Sequence, residues 1–292
     1  MKNFTKICKM TQNDLKKYTK DTLLKFGYPK VISGNGFVYA QGELPILLVA
    51  HLDTVHKELP KTIHYDKIKK ILSSPEGIGG DDRCGIYMIL EIVKYSKCSV
   101  LFCEDEEIGA IGANNFIKSS ISKNLEFNYI MEFDRKGSND AVFYDCANEE
   151  FEQFITKKFF KTAYGSFSDI SVLAPELGCA AVNLSCGYYN AHTTDEYVVW
   201  DEMMKSIWAA HEIIETTTNA DKFEYVERSY GGKFSDWDYY GYYGESYVIT
   251  YDNGNILKTF ETIAQSEIEA IGQFCVDNPT MSFQNIVDIQ IY

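Results

Sequence analysis

Length, composition and charge limit what this chain can be. Its 292 residues, 45% of them hydrophobic, are enough to bury a sizeable core and argue against disorder, and no apolar run reaches the ~18 residues of a membrane span. The formal net charge of −14 would repel phosphate backbones and anionic membrane surfaces, so we expect neither nucleic acid nor a membrane as a partner.

Helix and strand patterns alternate along the chain. The first residues lack the apolar stretch of a secretory signal, which predicts a cytoplasmic location. Residues 11–26 have the spacing of an amphipathic helix with Thr11 as N-cap, a hairpin follows around Gly34–Gly36, and the apolar run 45–51 is typical of a buried strand. Later helices are predicted at 83–96, 108–119, 149–161 and 201–217, and later strands at 98–103, 127–133, 141–145 and 179–185. This alternation predicts an α/β fold, a sheet with helices on both faces.

The composition changes near residue 222. Aromatic residues interleaved with glycines and acids fill residues 223–251, and a hairpin about Asp252–Gly254, a helix at 262–276 and a strand at 283–292 are predicted after them. We therefore predict two domains, residues 1–221 and residues 222–292, the second being an aromatic-rich linker with a small ββαβ appendage. Such a surface can bind a protein partner; the alternative is that its rings pack onto the first domain.

Histidines and acids follow the buried strands of the first domain. His51 and Asp53 come at the end of the first strand, the run Glu104–Glu107 after the next, Asp134 after the third, and His192 after a later one. Active residues of open α/β sheets gather at the carboxyl ends of the strands. Taken singly, such a histidine is more often structural and such an acidic run more often a solvated turn. Together, these donors suit zinc or a similar divalent ion.

Five segments make the pattern specific. In order and spacing they resemble the co-catalytic zinc exopeptidases, a superfamily that includes tripeptidase T, aminoacylases, glutamate carboxypeptidases and leucine aminopeptidases. The segments are AHLDTV (50–55), GIGGDDRCG (77–85), EDEEIGAIGA (104–113), MEFDR (131–135) and NAHTTDEYV (190–198). The resemblance implies a three-layer α/β/α mixed sheet of the zinc-exopeptidase type, with a small α+β appendage at the C-terminal end. The first domain would then be catalytic.

The resemblance also implies a set of metal ligands. Asp81 would bridge two divalent ions, His51 and Asp134 would complete the site of one ion, and Glu107 and His192 that of the other. Zinc is the expected metal, and cobalt and manganese are compatible with the same donors.

Two further residues take catalytic roles by this resemblance. Glu106 would be the general base, and Asp53 would accept the ring N–H of His51 and fix its tautomer. The peptide bond between Asp81 and Asp82 would be cis. Two metals ~3.5–4 Å apart can polarise an amide carbonyl and activate a bridging water, while a carboxylate such as Glu106 moves a proton from the water to the leaving amine.

Four more residues are candidate substrate contacts. The hydroxyl of Tyr188 or Tyr189 could support the developing oxyanion, although tyrosines also line cores by packing alone. Ser168 and Asp169 belong to GSFSDI (165–170), which resembles a superfamily loop close to the active site. A helix N-cap is the alternative role for these two residues.

Residues outside the motifs have other expected roles. His56, His64 and His211 match no motif position, so structural or surface roles are predicted for them. The eight cysteines lack CxxC spacing and several lie in apolar runs, which predicts buried reduced thiols.

A metal-dependent exopeptidase is the function that these features favour. Many relatives carry a lid domain between the fourth ligand motif and the last histidine, but here predicted elements fill the interval from Asp134 to His192, so we expect no lid. An open site can accept the free N terminus of a short peptide, which favours an aminopeptidase. An N-acyl amino-acid deacylase uses the same machinery and stays open as an alternative. The third possible function is that of a non-catalytic binding protein on the same scaffold. The complete set of expected metal ligands argues against it.

Overall fold

A computed structural model describes residues 1–218, 220–228, 245–252, 254, 257–264, 270–271, 274, 278, 281 and 285–291. The chain forms two compact units, Met1–Arg228 and Ser229–Tyr292, which we call the first and second unit. Residues 222–228 belong to the first unit. Within it, Glu224 forms an antiparallel β-bridge with Cys179, and Glu227 forms one with Cys146. The proposal of a linker that begins at residue 222 therefore remains only for residues beyond Arg228.

The first unit alternates helices and strands as the sequence predicts. Its helices are α1 (Lys2–Cys8), α2 (Gln12–Lys25), α3 (Gly80–Ile92), α4 (Ile111–Lys118), α5 (Glu149–Thr156), α6 (Asp169–Leu177) and α7 (Trp200–Thr216), with a 3-10 turn at Ser122–Asn124. Its strands are β1 (Val31–Gly34), β2 (Phe37–Ala40), β3 (Leu44–His51), β4 (His64–Asp66), β5 (Ile71–Ser73), β6 (Cys98–Cys103), β7 (Tyr129–Arg135), β8 (Asp140–Val142), β9 (Lys161–Ala163), β10 (Ala181–Ser185), β11 (Tyr188–Tyr189) and β12 (Tyr197–Val199).

Parallel strands form the centre of the main sheet. In the described part of the first unit this sheet has eight strands in the order β1-β2-β6-β3-β7-β10-β8-β9. Strand β3 pairs in parallel with β6 and β7, and β10 pairs in parallel with β7. Both faces of β3 from Ile46 to His51 are buried, as an apolar run of this kind requires. The carboxyl ends of β3, β6, β7 and β10 therefore meet at one edge.

Helices cover both faces of this sheet. One face packs against α1, α2, α3, α5 and α7 through side chains that include Phe4, Leu15, Ile89, Phe151 and Ile207. The other packs against α4 and α6 through side chains that include Phe116 and Leu173. The expected three-layer α/β/α mixed sheet is confirmed. No helix among the described residues is long and apolar enough to cross a membrane.

Local rules explain the elements that the sequence predicted well. Thr11 is the N-cap of α2 and accepts a hydrogen bond from the N–H of Asp14, as its short hydroxyl side chain suggests. Strands β1 and β2 form the predicted antiparallel hairpin, in which Gly36 has a φ of 83° that favours glycine. Seven cysteines are described, and all are free and buried; Cys275 lies outside the described residues.

Other elements differ from the prediction. The helix predicted at 149–161 ends at Thr156, because Lys161–Ala163 pairs with β8 as strand β9. No inserted domain lies between Asp134 and His192, a stretch that the structure describes in full and that carries β8 to β11 with α5 and α6. A smaller sheet of the first unit, with the order β11-β12-β5-β4 in its described residues, was not predicted from sequence.

The second unit contains a small antiparallel sheet. Its described strands are β13 (Glu245–Asp252), β14 (Leu257–Ala264) and β15 (Ile286–Ile291), with β13 in the centre. Tyr251 and Phe274 pack in the core of this unit with ring centroids 4.8 Å apart. The helix predicted at 262–276 was wrong for its first residues, since Thr262–Ala264 belong to β14 and pair with β13; much of the remainder lies outside the described residues.

Candidate active site and metal centre

Strand ends and one helix start bring the predicted metal ligands together. His51 is the last residue of β3, and Asp134 lies near the end of β7 beside it. Glu107 follows β6, Asp81 opens α3, and His192 lies in the loop between β11 and β12. Because the parallel strands end at one edge, residues far apart in sequence meet there.

The distances place the Asp81 carboxylate between the two histidines. Its Oδ1 lies 2.9 Å from Nε2 of His51, and its Oδ2 lies 3.2 Å from Nε2 of His192. The same His51 nitrogen is 3.5 Å from Oδ1 of Asp134, and the same His192 nitrogen is 3.0 Å from Oε1 of Glu107. Each half of the cluster thus has one histidine, one carboxylate of its own and a share of Asp81.

The donor set fits divalent metal ions. Among the described residues, His51, Asp81 and Asp134 form one group whose possible ligand atoms all lie within 4.8 Å of one another, and Asp81, Glu107 and His192 form another. Imidazole nitrogen and carboxylate oxygen are the donors that zinc takes in catalytic sites. Burial and the negative charge of Asp81 raise the pKa of Asp134 to about 7, so this carboxyl group resists ionisation without a compensating cation.

Asp82 supports the backbone around this cluster. Its carboxylate accepts hydrogen bonds from the N–H of His51, at 3.1 Å, and from the N–H of Gly85, at 2.8 Å. The peptide bond between Asp81 and Asp82 is cis, as the resemblance implies. Asp82 is completely buried. Because its two hydrogen bonds come from His51 at the end of β3 and from Gly85 in α3, it links the start of α3 to the end of β3.

Asp53 holds both His51 and the acidic loop. One carboxylate oxygen lies 3.1 Å from Nδ1 of His51, and the two oxygens accept the N–H groups of Glu106 and Glu107, each at 3.1 Å. Burial disfavours the charge of Asp53, but these hydrogen bonds prevail and lower its pKa. The residue therefore orients a predicted ligand and fixes the loop that carries the predicted base.

Glu106 lies beside the cluster but belongs to neither of the two groups of possible metal ligands that include Asp81. One of its oxygens is within 4.8 Å of donor atoms of His51 and Glu107. Burial, reinforced by the negative charges of Asp134 and Asp169, raises the pKa of Glu106 to about 8. A carboxylate with a raised pKa is suited to carry a proton at neutral pH.

Three of the four candidate substrate residues have hydrogen-bond partners within the protein. Tyr188 is buried and its hydroxyl donates to Asp134 Oδ1 at 3.2 Å, while the Tyr189 hydroxyl donates to Glu202 at 2.6 Å. Ser168 is buried, donates to Glu132 and is the N-cap of α6. Asp169 is buried in the first turn of α6, and burial raises its pKa to about 6. Their contact with substrate stays a prediction.

Residues outside the predicted set also shape the site. Arg83 is fully buried and donates to the carbonyl oxygens of Leu52 and Asp53, at 2.6 and 2.9 Å. Glu196, which the sequence did not single out, is completely buried and accepts hydrogen bonds from the loop that carries Asp81. Its position four residues after His192 in the segment NAHTTDEYV was the available signal.

The fold and the clustering of the five predicted ligands agree with the resemblance to the co-catalytic zinc exopeptidases that the sequence indicates. A family model described as Peptidase family M28 matches residues 38–178, a range that holds four of the five motif segments. No curated protein sequence matches the chain.

Solved structures share the fold at low sequence identity. Aminopeptidase PepT from Bacillus cereus ATCC 10987 is 14% identical with a TM-score of 0.60, and the match covers 73% of this chain and 96% of that one. Aminopeptidase APDkam598 from the archaeon Desulfurococcus kamchatkensis is 14% identical with a TM-score of 0.55, covering 74% and 94%. A Zn-dependent exopeptidase from Parabacteroides distasonis ATCC 8503 is 13% identical with a TM-score of 0.52, covering 70% and 90%. These similarities show that the chain shares its fold with the three solved structures.

Proposed function

We propose that this chain is a two-metal exopeptidase that removes residues from the amino end of short peptides. The observation that carries the proposal is the placement of Asp81, whose two carboxylate oxygens face two different histidines, each with a second carboxylate of its own. A carboxylate in that position can be shared by two ions. The remaining ligands would be His51 and Asp134 for one ion, and Glu107 and His192 for the other.

The bound ions would supply Lewis-acid activation of the scissile carbonyl and of the attacking water. Glu106 would take a proton from that water as its oxygen attacks the carbonyl carbon. As the C–N bond breaks, Glu106 would give the proton to the departing amine nitrogen, so the products are a free amino acid and a peptide shortened by one residue. Asp53 would keep this base in place, because it holds the N–H groups of Glu106 and Glu107.

Two features support an exopeptidase that works from the amino end. The His192 side chain is 54% exposed, so one side of the cluster is open to a substrate terminus. No domain is inserted between Asp134 and His192, in a stretch that is fully described. The similar structures from Bacillus cereus and Desulfurococcus kamchatkensis are aminopeptidases by name, which agrees with this choice.

A substrate panel tests the proposal. We expect the zinc-loaded protein to cleave aminoacyl p-nitroanilides and di- and tripeptides with a free amino terminus, and to leave their N-acetylated counterparts intact. Mass spectrometry of the products identifies the released residue, and a chelator-treated sample is the matched control. Release of the carboxyl-terminal residue would contradict the proposed polarity.

An N-acyl amino-acid deacylase is the second candidate, because the same base and the same donors serve amide hydrolysis in general. In the same panel, turnover of N-acetyl amino acids without turnover of free-amine peptides would replace the aminopeptidase proposal by this one. A non-catalytic binding protein predicts zinc binding without turnover of any compound in the panel.

The sequence predictions about partners and location stay proposals. A protein partner was predicted for the aromatic-rich region, and residues 229–244 of that region lie outside the described residues. The acidic charge continues to argue against a nucleic-acid partner. The cytoplasmic location also remains a prediction from the sequence.

A further inference from the structure

Glu196 lies at the meeting point of two loops that carry predicted metal ligands. It follows His192 by four residues, and its own N–H donates to the carbonyl oxygen of Thr193 at 3.2 Å, which closes a turn next to the histidine. Its side chain is completely buried and reaches the loop before α3. The residue therefore belongs to one ligand loop by its backbone and contacts the other by its carboxylate.

Three donors converge on this carboxylate. Oε1 accepts the N–H of Asp81 at 2.9 Å, and Oε2 accepts the N–H of Gly79 at 2.8 Å. Oε2 also lies 2.8 Å from Nε2 of His56, a side chain that is only 9% exposed. A buried carboxylate is costly unless it is hydrogen-bonded or paired, and here both oxygens are occupied.

Glycines allow the close approach of the two loops. A Cβ on Gly80 would lie 2.8 Å from Cβ of Tyr188 and 3.2 Å from Oε1 of Glu196, and a Cβ on Gly77 would lie 2.2 Å from the His56 ring. Gly77 and Gly79 also have φ angles of 86° and 66°, a backbone region that glycine adopts without strain. The glycines of the segment GIGGDD thus fit a loop that closes around the Glu196 carboxylate and the His56 ring.

We propose that Glu196, braced by His56, is a positioning residue that sets the distance between Asp81 and His192 and so determines metal affinity. This role rests on the proposed function, since it concerns ligands of the same two-metal site. Glu196 contacts no predicted reacting atom and acts through the N–H of Asp81. The proposal also assigns a role to His56, which holds the Glu196 carboxylate although His56 and Glu196 are far apart in sequence.

The chemistry requires a carboxylate at this position. Glutamine has the same size, but it offers one acceptor oxygen and an NH₂ group, so at least one of the N–H groups of Gly79 and Asp81 would face another donor. The loop would shift to relieve that conflict, and the 3.2 Å separation of Asp81 and His192 would change with it.

The test is the zinc affinity of purified, metal-free Glu196→Gln, measured by competition with a chromophoric chelator. Changes that disturb the support of metal ligands typically weaken metal binding ~10–100-fold, and we expect a loss in that range. Tyr28→Phe is the matched control, because it removes a buried hydrogen bond of 2.5 Å to Cys98 at the opposite end of β6. That control should lose stability but keep wild-type zinc affinity.

A second variant keeps the test decisive if Glu196→Gln does not fold. His56→Phe retains a ring against Gly77 but removes the donor to Glu196, and we expect zinc binding weaker by ~10-fold, the lower end of that range. Added to Glu196→Gln, it should cause little further loss, since both changes act through one carboxylate.

The outcomes separate this inference from the proposed function. Wild-type protein that fails to bind zinc would overturn the two-metal site itself. Wild-type protein that binds zinc, with folded Glu196→Gln and His56→Phe binding it equally well, would overturn the positioning role alone. A loss of affinity in Tyr28→Phe as large as in Glu196→Gln would also overturn it, because the effect would then reflect general destabilisation.

Discussion

Replacing Glu106 with glutamine is expected to lower kcat for a cleaved peptide by about 10²–10⁴-fold, the usual contribution of a general acid–base group, while the zinc content stays unchanged. The amide cannot accept a proton from the attacking water, but it has nearly the same size as the carboxylate. Its backbone N–H can still donate to Asp53, so the loop should keep its conformation.

The neighbouring Asp105→Asn is the control for this prediction. Asp105 lies next to Glu106 and accepts a hydrogen bond of 3.0 Å from Gln12, an interaction that asparagine can retain through its carbonyl oxygen. Its φ of 60° also suits asparagine. We expect wild-type kcat for this variant. Wild-type kcat in Glu106→Gln would show that another group carries the proton, and loss of zinc from it would make Glu106 a ligand.

Replacing Asp81 with alanine is expected to reduce zinc from about two ions per chain to almost none, because one carboxylate serves both proposed sites. With Asp81 gone, His51 and His192 each keep a single carboxylate partner of the ligand set, Asp134 and Glu107 respectively. Elemental analysis after zinc reloading and buffer exchange gives the content directly.

Thermal unfolding gives an independent check on the same variant. A ligand that binds only the folded state raises the Tm, so zinc should stabilise the wild type and leave Asp81→Ala unchanged. Asp66→Ala is the control, since Asp66 is an exposed residue of β4 and should retain the zinc response. Retention of one zinc per chain in Asp81→Ala would argue for two independent sites and against a bridging carboxylate.

The central part of the fold could be predicted because its local signals agree. The run 45–51 is nearly all apolar, which is typical of a strand buried on both faces, and β3 has that burial from Ile46 onward. The Thr11 cap and the glycine turn at Gly36 are local interactions of a few residues. Strand ends also explain why donors such as His51 and Asp134 were found, since topology alone brings these positions together.

The elements that were missed depend on tertiary contacts. Helix α6 contains Pro175 and follows a segment rich in glycine and serine, so local propensity argues against it; it is held by the burial of Leu173 against the sheet. Strand β9 exists because it pairs with β8, and its three residues carry no strong pattern of their own. The sequence could not reveal such pairings.

The same limit applies to the supporting residues of the site. Glu196 and His56 are 140 positions apart, and neither residue type in isolation indicates their hydrogen bond. Tyr188 is predicted as a possible support for the oxyanion, but the sequence does not indicate that its hydroxyl donates to Asp134. The motifs predict which side chains cluster at the site, whereas the residues that support them required the three-dimensional arrangement.

The most direct test of a two-metal active site is a zinc titration of the metal-free wild-type chain. Calorimetry measures zinc binding, and hydrolysis of one short free-amine peptide is measured in the same samples. We expect saturation at about two zinc ions per chain, with peptide hydrolysis that rises on zinc addition and is lost on chelation. Saturation at one ion, or full hydrolysis in the metal-free protein, would contradict a two-metal active site.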